Sequence, residues 1–307
     1  LKKNQFKKKN KKIIIVGGTG FIGYHLATKC LLKGWKVVSF SKNPPRKKRF
    51  LKKVRYLIGD ISNKKNFKLL NKDFNYVVNL GGYVDHTNKT KTYNSHFKGC
   101  KSLGNFFLKK KIESFIQMGS SGEYGKAKSP QKESFKSRPL SIYAKSKFLA
   151  SKYLLRLHKN EKFPVTILRL YQAYGPKQDT NRFIPIVIDA CLKNKKFNCS
   201  DGKQLRDFIY IDDVVDAIIK SIKSKSSKGQ IINIGSGKPQ KIIQIINYIV
   251  KNLKGGQPIL GVIKLRKDET YKIFPDIKKA KQFINWKPKV NFSKGLSKTI
   301  RYYEKLQ

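Results

Sequence analysis

Lys12-Ile-Ile-Ile-Val-Gly-Gly-Thr-Gly-Phe-Ile-Gly23 is the stretch whose reading decides the architecture. Its opening residues form an apolar, β-branched run of the kind found in a short buried strand. Gly17, Gly20 and Gly23 then lead into a helix-like segment over residues 22–32. A strand, a glycine turn and a helix N-terminus together make a phosphate site, because glycines let the backbone approach a pyrophosphate and the helix dipole favours its charge. A tight turn with no ligand has the same local pattern, so the reading depends on what surrounds it.

Working outward, residues 36–40, 54–58, 76–80 and 114–118 read as further strands, and helical patterns lie around 63–70 and 93–110. Strand and helix alternate throughout. That order predicts an α/β fold: a Rossmann-type, doubly wound parallel sheet with ligands at the carboxyl ends of its strands. Candidate cofactor contacts therefore sit at those ends: Gly17, Gly20, Phe21, Ile22 and Gly23 after the first strand, Ser41, Lys42 and Arg46 after the second. Asp60 and Ile61 follow the third strand, and Leu80, Gly81 and Gly82 close the fourth. An NAD site usually carries an acid after the second strand for the ribose 2′-hydroxyl, whereas the small and basic residues here suit a 2′-phosphate. NADP is thus preferred over NAD.

Ser141-Ile-Tyr-Ala-Lys-Ser-Lys147 reads as the start of another helix, with Tyr143 and Lys147 on one face. A phenol is a poor base near neutral pH, and an adjacent cation favours its ionised form. Tyr143 is then a candidate for moving protons to and from a substrate oxygen, although a Tyr and a Lys at this spacing also suit an ordinary amphipathic face. Gly119-Ser-Ser-Gly-Glu-Tyr-Gly125 directly follows the fifth strand, where a hydroxyl can bond the same oxygen.

The chain has 307 residues, enough for one large core or two closely joined domains. Cys30, Cys100, Cys191 and Cys199 show no Cys-x-x-Cys spacing and too few neighbouring histidines for zinc, so they read as reduced, mostly buried thiols of a cytoplasmic protein, with no metal. The basic run at the N-terminus precedes an apolar stretch too short for a signal peptide, and no later stretch approaches a membrane span, so a soluble protein is expected. Leu at position 1 reads as an alternative start or a trimmed end. Lys plus Arg total 69 against 18 Asp plus Glu, a formal net charge of +51. Such an excess usually marks a polyanion partner. Here the lysines are spread along almost every segment, and Lys, Asn, Ile, Phe and Tyr abound together as AT-rich codons would give. The expectation is a solvated basic surface with weak, salt-sensitive attraction to nucleic acid and no specific nucleic-acid or membrane partner.

The Gly17-x-x-Gly20-x-x-Gly23 turn, Asp60-Ile61, Ser120 four residues before Tyr124-Gly125, and Tyr143-x-x-x-Lys147 stand in a familiar order. With them the chain resembles the extended short-chain dehydrogenase/reductase family, the NAD(P)-dependent nucleotide-sugar epimerases, dehydratases and reductases. Arg169-Leu-Tyr-Gln-Ala-Tyr-Gly-Pro176, Asn181-Arg-Phe-Ile-Pro185, Arg206-Asp-Phe-Ile-Tyr-Ile-Asp-Asp213 and Asn233-Ile-Gly-Ser-Gly237 resemble the family's later landmarks. The likeness runs from about Lys12 to Tyr303.

The resemblance implies Tyr143 as general acid/base, Lys147 as the cation that activates it and holds the nicotinamide ribose, and Ser120 as the group that fixes the reacting oxygen. Substrate contacts are implied for Ser121, Gln172, Asn181, Arg206, Arg266 and Glu269, with Arg206 on the diphosphate of a nucleotide-sugar. The expected organisation is a basic tail over 1–11, a cofactor-binding domain over 12–171 to which 206–235 returns, and a smaller C-terminal substrate lobe from 172–205 and 236–307. Residues 208–211 and 231–234 are expected as strands of the main sheet. The family's helices further imply a homodimer joined by a four-helix bundle. Three departures bear on the reaction. Ser121 and Gly122 stand where 4,6-dehydratases place an acid pair, with Glu123 one place late, which argues against dehydration. A 4-keto-6-deoxy sugar nucleotide reductase is slightly favoured over a UDP-glucose 4-epimerase-like reaction, and a non-catalytic cofactor-dependent binding protein is the distant alternative. His96 stands where the family often has Asn and reads as a packed histidine or a proton relay. Gln172 replaces an Asn and keeps an amide for a phosphate.

Overall fold

The computed structural model describes residues 11–70, 73–85, 87–264 and 270–306. β1 (Lys12–Val16), β2 (Lys36–Ser41), β3 (Val54–Ile58), β4 (Tyr76–Asn79), β5 (Ser114–Ser120) and β6 (Val165–Leu170) join Ile231–Ile234 in one seven-stranded sheet. The order is β3-β2-β1-β4-β5-β6 and then Ile231–Ile234, and every pairing is parallel. β1 is apolar at successive positions because both of its faces are covered. Ile13 and Ile15 enter one buried cluster, Ile14 and Val16 the other.

α1 (Phe21–Leu32) and the helix Ile211–Lys223 close the first face through Leu26, Ala27 and Val214. On the second face the chain passes through α2 (Lys89–Tyr93), a π-helical turn at Asn94–Gly99, α3 (Cys100–Leu108) and, later, α4 (Ile142–Glu161). Leu103, Phe107, Ala150 and Leu154 cover the sheet there. Each buried Leu or Phe among them contributes about 1.5–3 kcal/mol by leaving water. The connections leave β1 toward β2 on one side and reach β4 on the other, so a crevice opens at the carboxyl ends of β1 and β4, where doubly wound sheets hold ligands.

Several expectations shift in detail. Residues 63–70 form a tighter 3-10 turn at Lys64–Leu70, and the helical pattern over 93–110 is split by the π turn. β5 runs on to Ser120, so Gly119 and Ser120 end the strand instead of following it. Residues 208–211 do not return to the main sheet. Phe208–Tyr210 pairs with Gln172–Tyr174 in a separate two-stranded sheet, and Ile211 begins a helix, because Ile231–Ile234 occupies the edge beside β6. The later segments add two more small sheets, pairing Lys196–Asn198 with Gln257–Ile259 and Leu205–Arg206 with Gln240–Lys241 and Lys272–Ile273. One apolar cluster nevertheless runs unbroken from Ile13 through Ile184 and Ile245 to Tyr303, so both halves of the chain share a core. The four cysteines are buried free thiols, and burial pushes Cys30 and Cys100 up to about 12. Among the described residues no helix is long and apolar enough to cross a membrane.

At the amino-terminal end of the sheet Lys228 is drawn inward, donating from Nζ to Ser114 Oγ and the Ser221 carbonyl. Burial lowers it to about 8, whereas a lysine in the unfolded chain titrates near about 10.4. Between those values the unfolded chain holds more protons than the folded one, so this group makes stability rise with pH and costs most below the lower value. Urea titrations at about pH 8 and about pH 10 should show that rise in the wild type and a smaller one in Lys228→Met. An equal rise in both proteins would assign the effect elsewhere.

Candidate functional site

The crevice beyond β1 and β4 holds a cavity of about 570 Å³. Gly17, Gly20, Leu80, Gly81 and Gly82 line its floor, and Ser41, Lys42, Asp60 and Ile61 line its far end. Gly17 has φ +79°, and a Cβ there would stand 3.0 Å from the Gly81 nitrogen, so the two glycine turns touch. Gly23 lies outside the cavity but is equally constrained: a Cβ would come within 2.4 Å of the Gly17 carbonyl, which fixes how closely α1 approaches the turn. Phe21 and Ile22, in the same first turn, pack against the core. Gly20 caps α1 with no side-chain hydrogen bond, and no acid occupies the first turn. Uncapped N–H groups and glycine walls on this scale fit the pyrophosphate of a dinucleotide.

Both cations that motivated a 2′-phosphate are paired. Lys42 Nζ lies 3.2 Å from Asp60 Oδ2, and Arg46 Nη1 lies 3.1 Å from Asp179 Oδ1, which draws Arg46 out of the cavity wall. Burial tends to raise the Asp60 carboxyl, but bonds from Ser62 and Lys42 outweigh it and hold the group below its usual range. Arg49, buried in the same loop, donates Nε to the Lys177 carbonyl at 3.0 Å and sets Nη2 3.0 Å from Asp179. The loop after β2 is thereby strapped to the loop after Gln172–Tyr174.

At the other end of the crevice Ser141 caps α4 by accepting the Ala144 N–H. Lys147 is buried and donates to the Met118 carbonyl of β5 at 2.8 Å, with Nζ 5.9 Å from the centre of the Tyr143 ring. Ser120 Oγ accepts the Gly122 N–H at 3.1 Å, which leaves its proton for a donor role. A Cβ on Gly122 would lie 3.4 Å from that of Ala144, so the Ser120 turn rests on the start of α4. Tyr143 in turn meets His96 edge to face, with centroids 5.0 Å apart, and His96 overlies Gly82 so closely that a Cβ there would come within 1.9 Å of its ring. None of Ser120, Tyr143 and Lys147 lines the cavity: Tyr143 and Lys147 share the start of α4, Tyr143 reaches the glycine floor through His96, and Ser120 ends β5 against the first turn of α4.

Glu123 is bonded to the backbone of Ser120 and buried against Arg169. Its Oε1 accepts the Ser120 N–H at 2.9 Å, while Oε2 lies 3.0 Å from Arg169 Nη2 and accepts from Ser151. Both charged side chains are almost wholly buried, at 2% and 0% exposure. The Arg169 guanidinium covers the Tyr124 ring at 4.3 Å, and the Tyr124 hydroxyl, pushed up to about 12 by burial, donates to Asn233.

Gln172 and Arg206 share a second cavity, of about 510 Å³, whose walls include Phe197, Asn198 and Gln204. Arg206 is anchored through Nη1 to the carbonyls of Leu205 and Tyr271. Ser121 opens the turn after Ser120, and Asn181 is exposed outside both cavities; Arg266 and Glu269 lie outside the described residues. Sequence reasoning passed over Tyr83, Asp85 and Ser95, which line the first cavity. For Tyr83 and Asp85 closeness to Gly81-Gly82 was a usable signal, whereas Ser95 reaches the cavity through its bond to the Tyr83 N–H. Phe197 and Gln204 reach the second cavity only through pairings between distant segments.

The sequence pattern of the NAD dependent epimerase/dehydratase family matches residues 13–235, and the chain belongs to that family, the extended short-chain dehydrogenase/reductases that its motifs resemble. A Methanocaldococcus jannaschii protein provisionally named UDP-glucose 4-epimerase is 28% identical over 302 residues, covering 94% of this chain and 97% of its own. UDP-glucuronic acid decarboxylase 1 of Xenopus tropicalis is 27% identical, over 97% of this chain and 73% of its own. The structure of a UDP-glucuronic acid 4-epimerase from Bacillus cereus, in complex with UDP-glucuronic acid and NAD, superposes with a TM-score of 0.85 at 25% identity, covering 96% of this chain and 100% of that one.

Removing Glu123 strands a buried guanidinium. Glu123→Ala should lower unfolding stability by about 3–5 kcal/mol in denaturant titrations. The double variant Glu123→Val/Arg169→Leu should recover most of that loss, and a single variant within about 0.5 kcal/mol of wild type would show that the pair holds nothing.

Proposed function

We propose that this protein is a nucleotide-sugar 4-epimerase that retains NAD between turnovers. The observation that carries the reading is the division within the Ser120 turn: Ser120 ends β5 against the start of α4, the helix that carries Tyr143 and Lys147, while Glu123, the acid of that turn, is locked against Arg169. Dehydration needs an acid and a base of its own placed on the sugar, and this turn offers neither. The grounds for a ketoreductase also weaken, since Glu123 serves the fold; Lys42 and Arg46, 65% and 67% exposed, meet Asp60 and Asp179 in weak surface pairs that do not decide between the cofactors. Relatives named as 4-epimerases, one of them bound to NAD, support the same choice.

In this reading residues 12–171 hold the cofactor, with Gly17, Gly20 and the α1 N-terminus at its pyrophosphate and Ser41 with Asp60 at its adenosine end. Residues 172–205 and 236–307 hold the nucleotide-sugar, with Arg206 and Gln172 toward its diphosphate. Tyr143 takes the proton of the C4 hydroxyl as the C4–H bond breaks, and returns it when that bond forms again on the opposite face. Lys147, anchored on Met118, supplies the positive field that favours the ionised phenol, and the Ser120 hydroxyl donates to the C4 oxygen. Bound nicotinamide supplies the redox capacity for the C4–H step. The family resemblance is what supports a homodimer through α3 and α4; a monomeric mass in sedimentation at micromolar concentration would remove that part.

The test is incubation of purified protein with UDP-glucose, UDP-glucuronic acid and 4-keto-6-deoxy nucleotide-sugars, with NAD, NADH or NADPH, read by absorbance and by NMR of the sugar. An isomeric product with no net cofactor change is expected. Stoichiometric NADPH loss with a gain of two hydrogens would make it a reductase instead. Tyr143→Phe should lower kcat by roughly 10²–10⁴-fold while binding the cofactor as wild type does, and silence across the whole panel would favour a non-catalytic binder.

A further inference from the structure

His96 is the residue of the site that the acid/base scheme leaves unused. It sits in the π-helical turn Asn94–Gly99, a type of helix irregularity that concentrates at functional sites. Its Nε2 lies 3.0 Å from the Tyr83 carbonyl, which only accepts, so Nε2 carries the proton and donates. The preceding residue, Ser95, accepts the Tyr83 N–H through Oγ at 2.6 Å. Two consecutive side chains of one turn therefore hold both backbone groups of Tyr83, in the loop that lines the crevice just past Gly81 and Gly82. The other edge of the arrangement is Tyr143, whose ring meets the imidazole at 5.0 Å and an interplanar angle of 84°. His96 is buried, and Gly82 has no Cβ to contest the space.

We propose that His96 is a positioning residue for Tyr143, fixing the phenol ring against the Gly81–Tyr83 loop so that the cofactor crevice and the acid/base group keep one mutual geometry. The inference rests on the reading of Tyr143 as acid/base. Its weight is in the chemical step: misplacing a reacting group by about 1 Å costs on the order of 10²-fold in rate. Asn and Gln keep a donor for the Tyr83 carbonyl but lose the ring, whereas Phe keeps the ring and loses the donor. The role needs both.

The experiment compares His96→Asn, His96→Gln and His96→Phe with wild type and Tyr143→Phe, using UDP-glucose and UDP-glucuronic acid as probes. Circular dichroism and NADH fluorescence report fold and cofactor affinity separately from turnover. The expected result is a kcat lower by about 10- to 100-fold in each folded variant, with KM and the NADH dissociation constant within about threefold of wild type. Wild-type kcat in a folded variant overturns the proposal, as does a loss that lies in KM or cofactor affinity alone. Collapse of the fold in all three variants also overturns it, since the role would then be to hold the scaffold. If the wild type turns the probes over and Tyr143→Phe does so equally well, the acid/base reading falls and takes this inference with it; if the wild type is silent on both, the 4-epimerase reading falls, and the inference that rests on it falls too.

Discussion

One buried ion pair, Glu123 with Arg169, conditions the geometry of everything at the carboxyl edge of the sheet. β5 must stop at Ser120 and turn, and the carboxylate three residues later reaches back to the strand's last N–H while its other oxygen takes the guanidinium from β6. Gly119 is required beneath it, because a Cβ there would stand 2.6 Å from Glu123 Oε1. Arg169 then covers Tyr124, Tyr124 bonds Asn233 on the neighbouring edge strand, and Asn233 holds the Gln131 carbonyl and the Glu133 carboxylate. Three strand ends and the loop that delivers Ser141 to α4 are thus locked by one continuous network. Two desolvated charges are costly alone, and their mutual satisfaction is what makes so compact a knot tolerable.

The family likeness and this pair also explain a division of labour inside one short turn. Ser120 Oγ accepts the Gly122 N–H and keeps its own proton available, while Glu123 is buried against Arg169 of the sheet. A carboxylate bound to an arginine, a backbone N–H and a serine has no remaining freedom to shuttle a proton between solvent and substrate. In the proposed reaction the acid/base burden then falls on Tyr143, with Lys147 on the same helix face.

How much of this was legible beforehand follows the range of the interactions involved. The β1 strand, its glycine turn and the Tyr143-Lys147 face are local features, written in neighbouring residues, and they appear in the fold as read. The alternation of strands and helices likewise gave the sheet, since parallel strands buried on both faces have a plain apolar signature. What escaped depends on partners far apart in the chain. Lys42 and Arg46 looked like free cations because Asp60 and, more so, Asp179 are distant in sequence. Residues 208–211 have the composition of a core strand, and only the competition with Ile231–Ile234 for the edge beside β6 shows where they belong. His96 was legible as a departure, but its contact with Tyr143 joins two helices that sequence spacing does not relate.

The strap formed by Arg49, Lys177 and Asp179 carries a thermodynamic meaning of its own. A loop beside a binding crevice ordinarily loses conformational freedom when it closes on a ligand, and that loss weakens the complex. Here the loop after β2 is already fastened across the chain to the loop after Gln172–Tyr174 by a buried guanidinium and by Lys177 reaching the Lys48 carbonyl. The ordering has been done by folding. A ligand seated at that end meets a loop already ordered and binds the tighter for it.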